Sequence, residues 1–120
     1  MATLTPTLTL TSTDATADPL SITVTHSLTT TNPAVNIARA AVLHTGETVL
    51  IASSVGAVNY VYLKNIDTSN FITVKTDAAA VVMKLSPGEF AFLPLNGSVG
   101  LEAQADTATC VLEYAYWTKG

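Results

Sequence analysis

The chain has 120 residues and a net charge of −4, and charged residues make up only 12% of it, about half the usual share of roughly 25%. Its five cationic residues are scattered, which disfavours binding to nucleic acid and to an anionic membrane surface. This length is enough for a real core, so we expect residues 1–120 to form a single domain whose charge-poor surface is partly covered by a partner.

The N-terminal stretch TLTPTLTLTST (3–13) alternates threonine with mainly leucine, which is the pattern of a half-buried β-strand. Pro6 lacks a backbone donor and therefore predicts an edge position. A charge-free edge strand normally has to be covered, so we expect residues 1–13 to form an interface strand or arm. The candidate contact residues in this strand are Leu4, Pro6, Leu8 and Leu10.

Residues 20–29 (LSITVTHSLT) continue the alternation and predict a second half-buried strand. His26 falls on its apolar side, and we interpret it as a core or interface histidine because no second metal ligand lies near it.

The N-terminus also lacks the charged and apolar regions of a signal peptide, so the protein is expected to act without export.

The next segment, TTTNPAVNIARAAVLH, has no clean alternation, and Pro33 disfavours a helix immediately before it. We therefore predict a long connection or arm, with a short helical turn over residues 37–42 as the alternative. An arm over residues 33–41 would supply a second set of contacts. Its candidate contact residues are Pro33, Val35, Ile37 and Arg39.

The rest of the sequence predicts short strands separated by turn residues. GETVLIASSVG contains one strand, and VNYVYLKNI, which is apolar on both faces, is typical of a central strand. DTSN is a polar turn that predicts FITVKT as the hairpin partner of that central strand. Further strands are predicted in AVVMKL, EFAFLPL, SVGLEAQA and TCVLEYAYW, and Pro94 indicates the edge or end of its strand.

These segments amount to about eight to ten short strands at spacings of about 8–12 residues, which is typical of an antiparallel sandwich or barrel. No segment has the pattern of an amphipathic helix of ordinary length. The predicted fold class is therefore all-β, as a two-sheet antiparallel sandwich of jelly-roll type with an N-terminal edge strand or arm.

Residues that could carry catalysis or bind a metal are sparse. The two histidines lie 18 positions apart, and no histidine follows the Pro87 turn, which excludes the metal site of a cupin barrel. The sequence lacks a G-x-S-x-G motif, and Cys110, alone in a strand-like run, is interpreted as a buried hydrophobe. We predict no catalytic residue, no cofactor and no metal.

Three stretches of the second half, YVYLKNIDTSNFITV, LSPGEFAFLPLNGSVGLEA and TATCVLEYAYW, share a packing pattern. It consists of a strand ending in KN, a hairpin, a PGE turn and a closing strand rich in tyrosine and tryptophan. In this pattern, over about half the chain, the sequence resembles small β-sandwich structural proteins of tailed bacteriophage virions. Its size resembles that of the capsid decoration (cement) proteins within that group.

The resemblance implies a non-enzymatic protein that is made in the host cytoplasm and placed on the capsid surface of the virion. Its partner would be the major capsid protein, and it would bind as a homo-oligomer, with a trimer favoured. The first alternative is a neck, tail or head-fibre sandwich that binds host glycans by stacking them on Tyr60, Tyr62, Tyr116 or Trp117. An enzyme of unrecognised type is the second.

Overall fold

The computed structural model describes residues 2–31, 35–55, 58 and 60–120. Strands dominate these residues, with one 3-10 helix at Ser53–Val55, and no described helix has the length and apolar character to cross a membrane. The strands are β1 (Ala2–Leu4), β2 (Thr7–Ser12), β3 (Leu20–Thr25), β4 (Leu28–Thr30), β5 (Val35–Val42), β6 (Thr48–Ile51), β7 (Tyr60–Asn65), β8 (Ile72–Thr76), β9 (Val81–Leu85), β10 (Phe90–Pro94), β11 (Leu101–Ala105) and β12 (Cys110–Trp117).

Strands β5 to β12 form two four-stranded antiparallel sheets, with orders β10-β7-β12-β5 and β6-β11-β8-β9. The pairings β8–β9, β7–β10, β6–β11 and β5–β12 nest within one another along the chain, so the eight strands form one long antiparallel hairpin rolled into two sheets. This connectivity is that of a jelly roll. The predicted all-β sandwich is confirmed, and Pro94 does end a strand at a sheet edge.

The core lies between the two sheets and is built mainly from the inward-facing residues of strands β5 to β12, which alternate with outward-facing residues along each strand. Its largest fully buried side chains are Ile51, Leu63, Ile72, Leu101 and Leu112. Burying one such side chain contributes about 1.5–3 kcal/mol. Every member of the buried cluster comes from position 42 or later, so the first 30 residues do not build the core.

The predicted hairpin between VNYVYLKNI and FITVKT is wrong, because β7 and β8 lie in different sheets. The polar turn after β7 is satisfied locally, since the Asp67 carboxylate accepts hydrogen bonds from the backbone N–H groups of Ser69 (2.9 Å) and Asn70 (2.7 Å). Such a turn needs no cross-strand partner and can carry the chain from one sheet to the other. The neighbours of β7 are the distant strands β10 and β12.

The predicted connection or arm over residues 33–41 is also wrong, as is the alternative helical turn. Residues 35–42 form strand β5 at the edge of the first sheet, paired with β12. Alanine is frequent in this segment and reduces the contrast between its two faces, so its sequence shows no clear alternation. A register shift between Tyr114 and Tyr116 lets the pairing continue, and Pro33 lies outside the described residues.

Residues 2–30 form a separate two-stranded antiparallel ribbon, in which β1 pairs with β4 and β2 pairs with β3. The two strands predicted over 3–13 and 20–29 are therefore present, and each is divided in two by a short interruption. This division raises the number of described strands to twelve, against the eight to ten predicted.

Candidate interaction surface

The ribbon keeps one register from the pair Ala2–Thr30 to the pair Ser12–Leu20. Its interruption falls at Pro6, whose carbonyl accepts a hydrogen bond from the His26 backbone N–H at 3.3 Å. Proline has no N–H to donate in return, so the ladder loses one of its bonds there. The sequence feature that predicted an edge strand thus marks the one break in the ribbon.

The two faces of the ribbon differ completely in chemistry. One face carries threonine and serine, and across it the hydroxyl oxygens of Thr7 and Thr25 lie 3.1 Å apart in a hydrogen bond. The other face carries cross-strand pairs of aliphatic side chains, since Leu8 lies opposite Val24, and Leu10 opposite Ile22. The regular T-x-T spacing therefore produces a threonine face, and its leucines produce an apolar face.

The apolar face is open to solvent. The exposed fractions are 46% for Leu8, 43% for Leu10, 40% for Ile22 and 55% for Val24. Strands β1 to β4 contain no aspartate, glutamate, lysine or arginine, whereas edge strands are usually protected by such charges. A two-stranded ribbon is marginally stable in water, so its exposed apolar face gains stability from any contact that covers it.

The base of the ribbon is attached to the C-terminal end of β12. The Thr31 N–H donates to the Thr118 carbonyl at 2.9 Å, and the Gly120 N–H donates to the Thr29 carbonyl at 2.8 Å. Thr30, between these bonds, is almost completely buried. These contacts fix where the ribbon leaves the sandwich, next to the sheet that contains β10.

A groove with a volume of about 470 Å³ separates the ribbon from strand β10. On the β10 side it is bounded by phenylalanines that point away from the core, with exposed fractions of 66% for Phe90 and 37% for Phe92. Its principal side chains are Pro6, Leu8, Val24, His26, Phe90 and Phe92. Strand β10 is the edge of its sheet, so the groove runs along an edge with which no described strand pairs.

An aromatic row continues from the groove across the outer face of this sheet. Tyr60 stacks on Phe92 with ring centroids 6.2 Å apart, and Phe92 contacts Trp117 at 6.5 Å. Tyr60 is itself buried, and Tyr116 lies on the opposite, inner side of the sheet, where it packs against the core and stacks on Tyr114 at 6.3 Å. Neighbouring rings therefore occupy much of the surface that a stacked sugar would need on these two tyrosines.

Tyr62 and Arg39 meet at one acidic side chain on the same outer face. The Tyr62 hydroxyl donates a hydrogen bond to Glu113 at 2.9 Å, and Arg39 forms an ion pair with Glu113 at 3.5 Å. Burial, and after it the hydrogen bond and charge of Glu113, raise the pKa of Tyr62. Tyr62 therefore stays protonated at physiological pH and is held in place by its neighbour.

The structure divides the predicted contact residues into two groups. Half-buried Leu4 and Pro6 share the apolar face of the ribbon with Leu8 and Leu10. The second group belongs to β5, at the opposite edge of the sheet from β10, so the two groups do not form one surface. On β5, Ile37 and Arg39 are exposed and the Val35 backbone pairs with Tyr116, while Pro33 lies outside the described residues.

Sequence reasoning missed the phenylalanines of the groove. Their signal was the alternation in EFAFLPL, in which Ala91 and Leu93 pack toward the core while Phe90 and Phe92 point outward. Alternation alone does not show that another element stands beside the outward pair. That placement depends on the attachment of the ribbon to the end of β12.

The described residues contain no group of three histidine, cysteine or acidic side chains that could hold a metal ion. Cys110 is fully buried, as expected for a small core hydrophobe. Burial and then the charges of Asp67 and Asp106 raise the pKa of its thiol, which keeps it in the unreactive protonated form.

No protein-family model, curated protein or solved structure matches the chain.

Proposed function

We propose that this chain is a non-enzymatic structural protein of a tailed-bacteriophage virion, a decoration (cement) protein that binds the capsid surface as a homo-oligomer and stabilises the head. The observation that carries the proposal is the ribbon, whose charge-free strands present four exposed aliphatic side chains beside an open groove. The sequence resemblance to virion sandwich proteins supports the same class. Jelly rolls also occur in viral capsid and lectin domains, which is support by analogy.

A ribbon of this kind suits attachment to a repeating surface. Beyond the base, where the ribbon is bonded to the segment after β12, no described strand pairs with its outer edges, and an extended segment of the major capsid protein can add there as a further strand. A homo-oligomer presents several ribbons at once, so modest single contacts combine into firm binding on a lattice. Bridging neighbouring capsid subunits in this way resists their separation and would stabilise the head.

Quantitative mass spectrometry of purified virions tests the proposal. We expect the chain in the virion at many copies, in a fixed ratio to the major capsid protein. A few copies per virion would instead place it in the neck, tail or fibres. The proposal fails if the chain is abundant in infected cells but absent from washed virions.

A further inference from the structure

We propose that the groove beside β10 is the seat for the ribbon of a second copy of this chain, with the Leu10–Ile22 pair of one copy entering the groove of the other. The inference rests on the proposed function for its premise that the chain works as a homo-oligomer. It adds the identity of the partner at this surface and the acceptor residues, Phe90 and Phe92.

The groove has room for an apolar occupant. Its volume of about 470 Å³ lies within the range of roughly 300–1,000 Å³ that is typical of pockets for small ligands. Leu8 and Val24 already line its ribbon side within the same chain. Leu10 and Ile22 follow them on the same ribbon face, exposed and outside the groove of their own chain, so this outer pair is placed to enter the groove of another copy.

The charges favour a second copy as the occupant. The chain has a net charge of −4, so two copies repel each other on average. Strands β1 to β4 carry no formal charge, and neither do the phenylalanines opposite them, so copies can meet there without opposing like charges. A charged partner would find no countercharge in the groove, whereas the aliphatic pair of an identical ribbon matches it.

The chain is more extended, and exposes more surface, than a compact monomer of its mass. The accessible surface is 6871 Å², while a compact monomer of 12.5 kDa is expected to expose about 6,200 Å². A stable interface buries roughly 800 Å² of each partner, so a contact with another copy would remove surface from this extended chain. The radius of gyration, 15.4 Å, likewise exceeds the value of about 13.6 Å expected for 120 residues.

Each copy has one ribbon and one groove, so every ribbon and every groove can be occupied in a closed symmetric assembly. In a two-fold dimer each ribbon seats in the partner's groove, and in a three-fold ring each ribbon seats in the next copy. Both arrangements cover the Leu10–Ile22 pair of every copy and leave no groove empty.

The molar mass in solution tests the contact. At about 100 µM protein, where even a micromolar affinity populates the complex, we expect wild-type chain to have a multiple of the 12.5 kDa monomer mass in sedimentation equilibrium. L10K should reduce the mass to that of the monomer while leaving the circular dichroism spectrum unchanged. V81K is the matched control, because Val81 is an exposed aliphatic residue on the edge strand β9, and it should keep the wild-type mass. A monomeric wild type, or an unchanged mass for L10K, overturns the inference.

Disulfide trapping locates the seat. L10C chain and F90C chain are mixed and oxidised, and since native Cys110 is fully buried, the introduced thiols are the accessible ones. We expect a mixed disulfide dimer whose peptides join positions 10 and 90, and none from a mixture of V81C with F90C. If positions 10 and 10 are joined instead, the ribbons pack on each other and the groove is not the seat.

These outcomes are separable from those of the proposed function. An oligomer with the 10–90 link that is absent from virions contradicts the virion role and leaves the contact intact. A monomer that is abundant in virions contradicts the contact and leaves the virion role intact.

Discussion

Asn65 is a fully buried polar residue at the end of β7, and its side chain ties the two sheets together. Its amide group donates to the Leu85 carbonyl of β9 and to the Asn70 carbonyl, both at 2.9 Å. Its side-chain oxygen accepts from the Asp67 N–H, also at 2.9 Å. Because every polar atom of the side chain is used, the cost of burying it is offset.

Replacing Asn65 by alanine should lower the free energy of unfolding by about 2–3 kcal/mol, because three backbone groups lose their hydrogen-bond partner. Urea denaturation followed by circular dichroism measures the change. N96A is the matched control, since Asn96 is exposed in a loop, and it should stay within about 0.5 kcal/mol of wild type. A loss below 1 kcal/mol for N65A would mean that this network does not stabilise the link between the sheets.

Acid sensitivity is expected at Asp67. Hydrogen bonds from the backbone N–H groups of Asn70 and Ser69 hold the pKa of this carboxyl below its usual range. Because the pKa of Asp67 is lower in the folded than in the unfolded state, the ionised carboxylate stabilises the fold at any pH above the unfolded pKa, near 3.9. That contribution is lost as the pH falls through the folded pKa. We therefore expect D67N to show a smaller loss of unfolding free energy than wild type below about pH 4. Equal slopes against pH for the two proteins would contradict this.

At the scale of elements, strong alternation was sufficient to predict strands, and weak alternation was not. The two ribbon strands and β7 stand out because their faces differ sharply or are both apolar. Strand β5 was missed because Ala38, Ala40 and Ala41 give little contrast between faces. The pairing of β7 could not be predicted from its turn, since that turn is satisfied internally and the partners of β7 are distant in sequence.

Only part of the candidate site could be predicted from the sequence. Leu4, Pro6, Leu8 and Leu10 follow from a strand without charge, a property of local sequence. Their cross-strand partners and the facing phenylalanines depend on ribbon register and on its attachment beside β10. Local sequence does not contain that information, and it also did not show that the second predicted group lies on β5, at the opposite edge of the sheet from β10.

The sandwich should fold without the ribbon, because its buried cluster begins at Val42. We expect the truncated chain 31–120 to unfold cooperatively in urea with a free energy of unfolding reduced by no more than about 3 kcal/mol. A reduction is expected because Tyr60, which lies beside the base of the ribbon, becomes more exposed when the ribbon is removed. Its size is comparable to the contribution of one large buried side chain. Absence of a cooperative transition would show that the ribbon is part of the folding unit.

At the scale of the whole molecule, the charges lie away from the proposed contact. The chain is acidic, with an isoelectric point near 4.8, yet the ribbon strands are free of formal charge. Salt screens charged contacts strongly and apolar contacts little. The sedimentation coefficient of the oligomer should therefore not fall between about 20 mM and 500 mM NaCl, and dissociation in high salt would mean that charged residues hold the copies together.

Co-sedimentation with capsids tests the proposed role most directly. Heads assembled without this protein are mixed with wild-type chain, with V81K or with the truncated chain 31–120, and are then pelleted. We predict saturable binding of wild type and V81K at the same fixed number of copies per head, and no binding of the truncated chain. Wild-type chain that stays in the supernatant at every concentration would contradict the decoration role, and equal binding of the truncated chain would contradict the role of the ribbon.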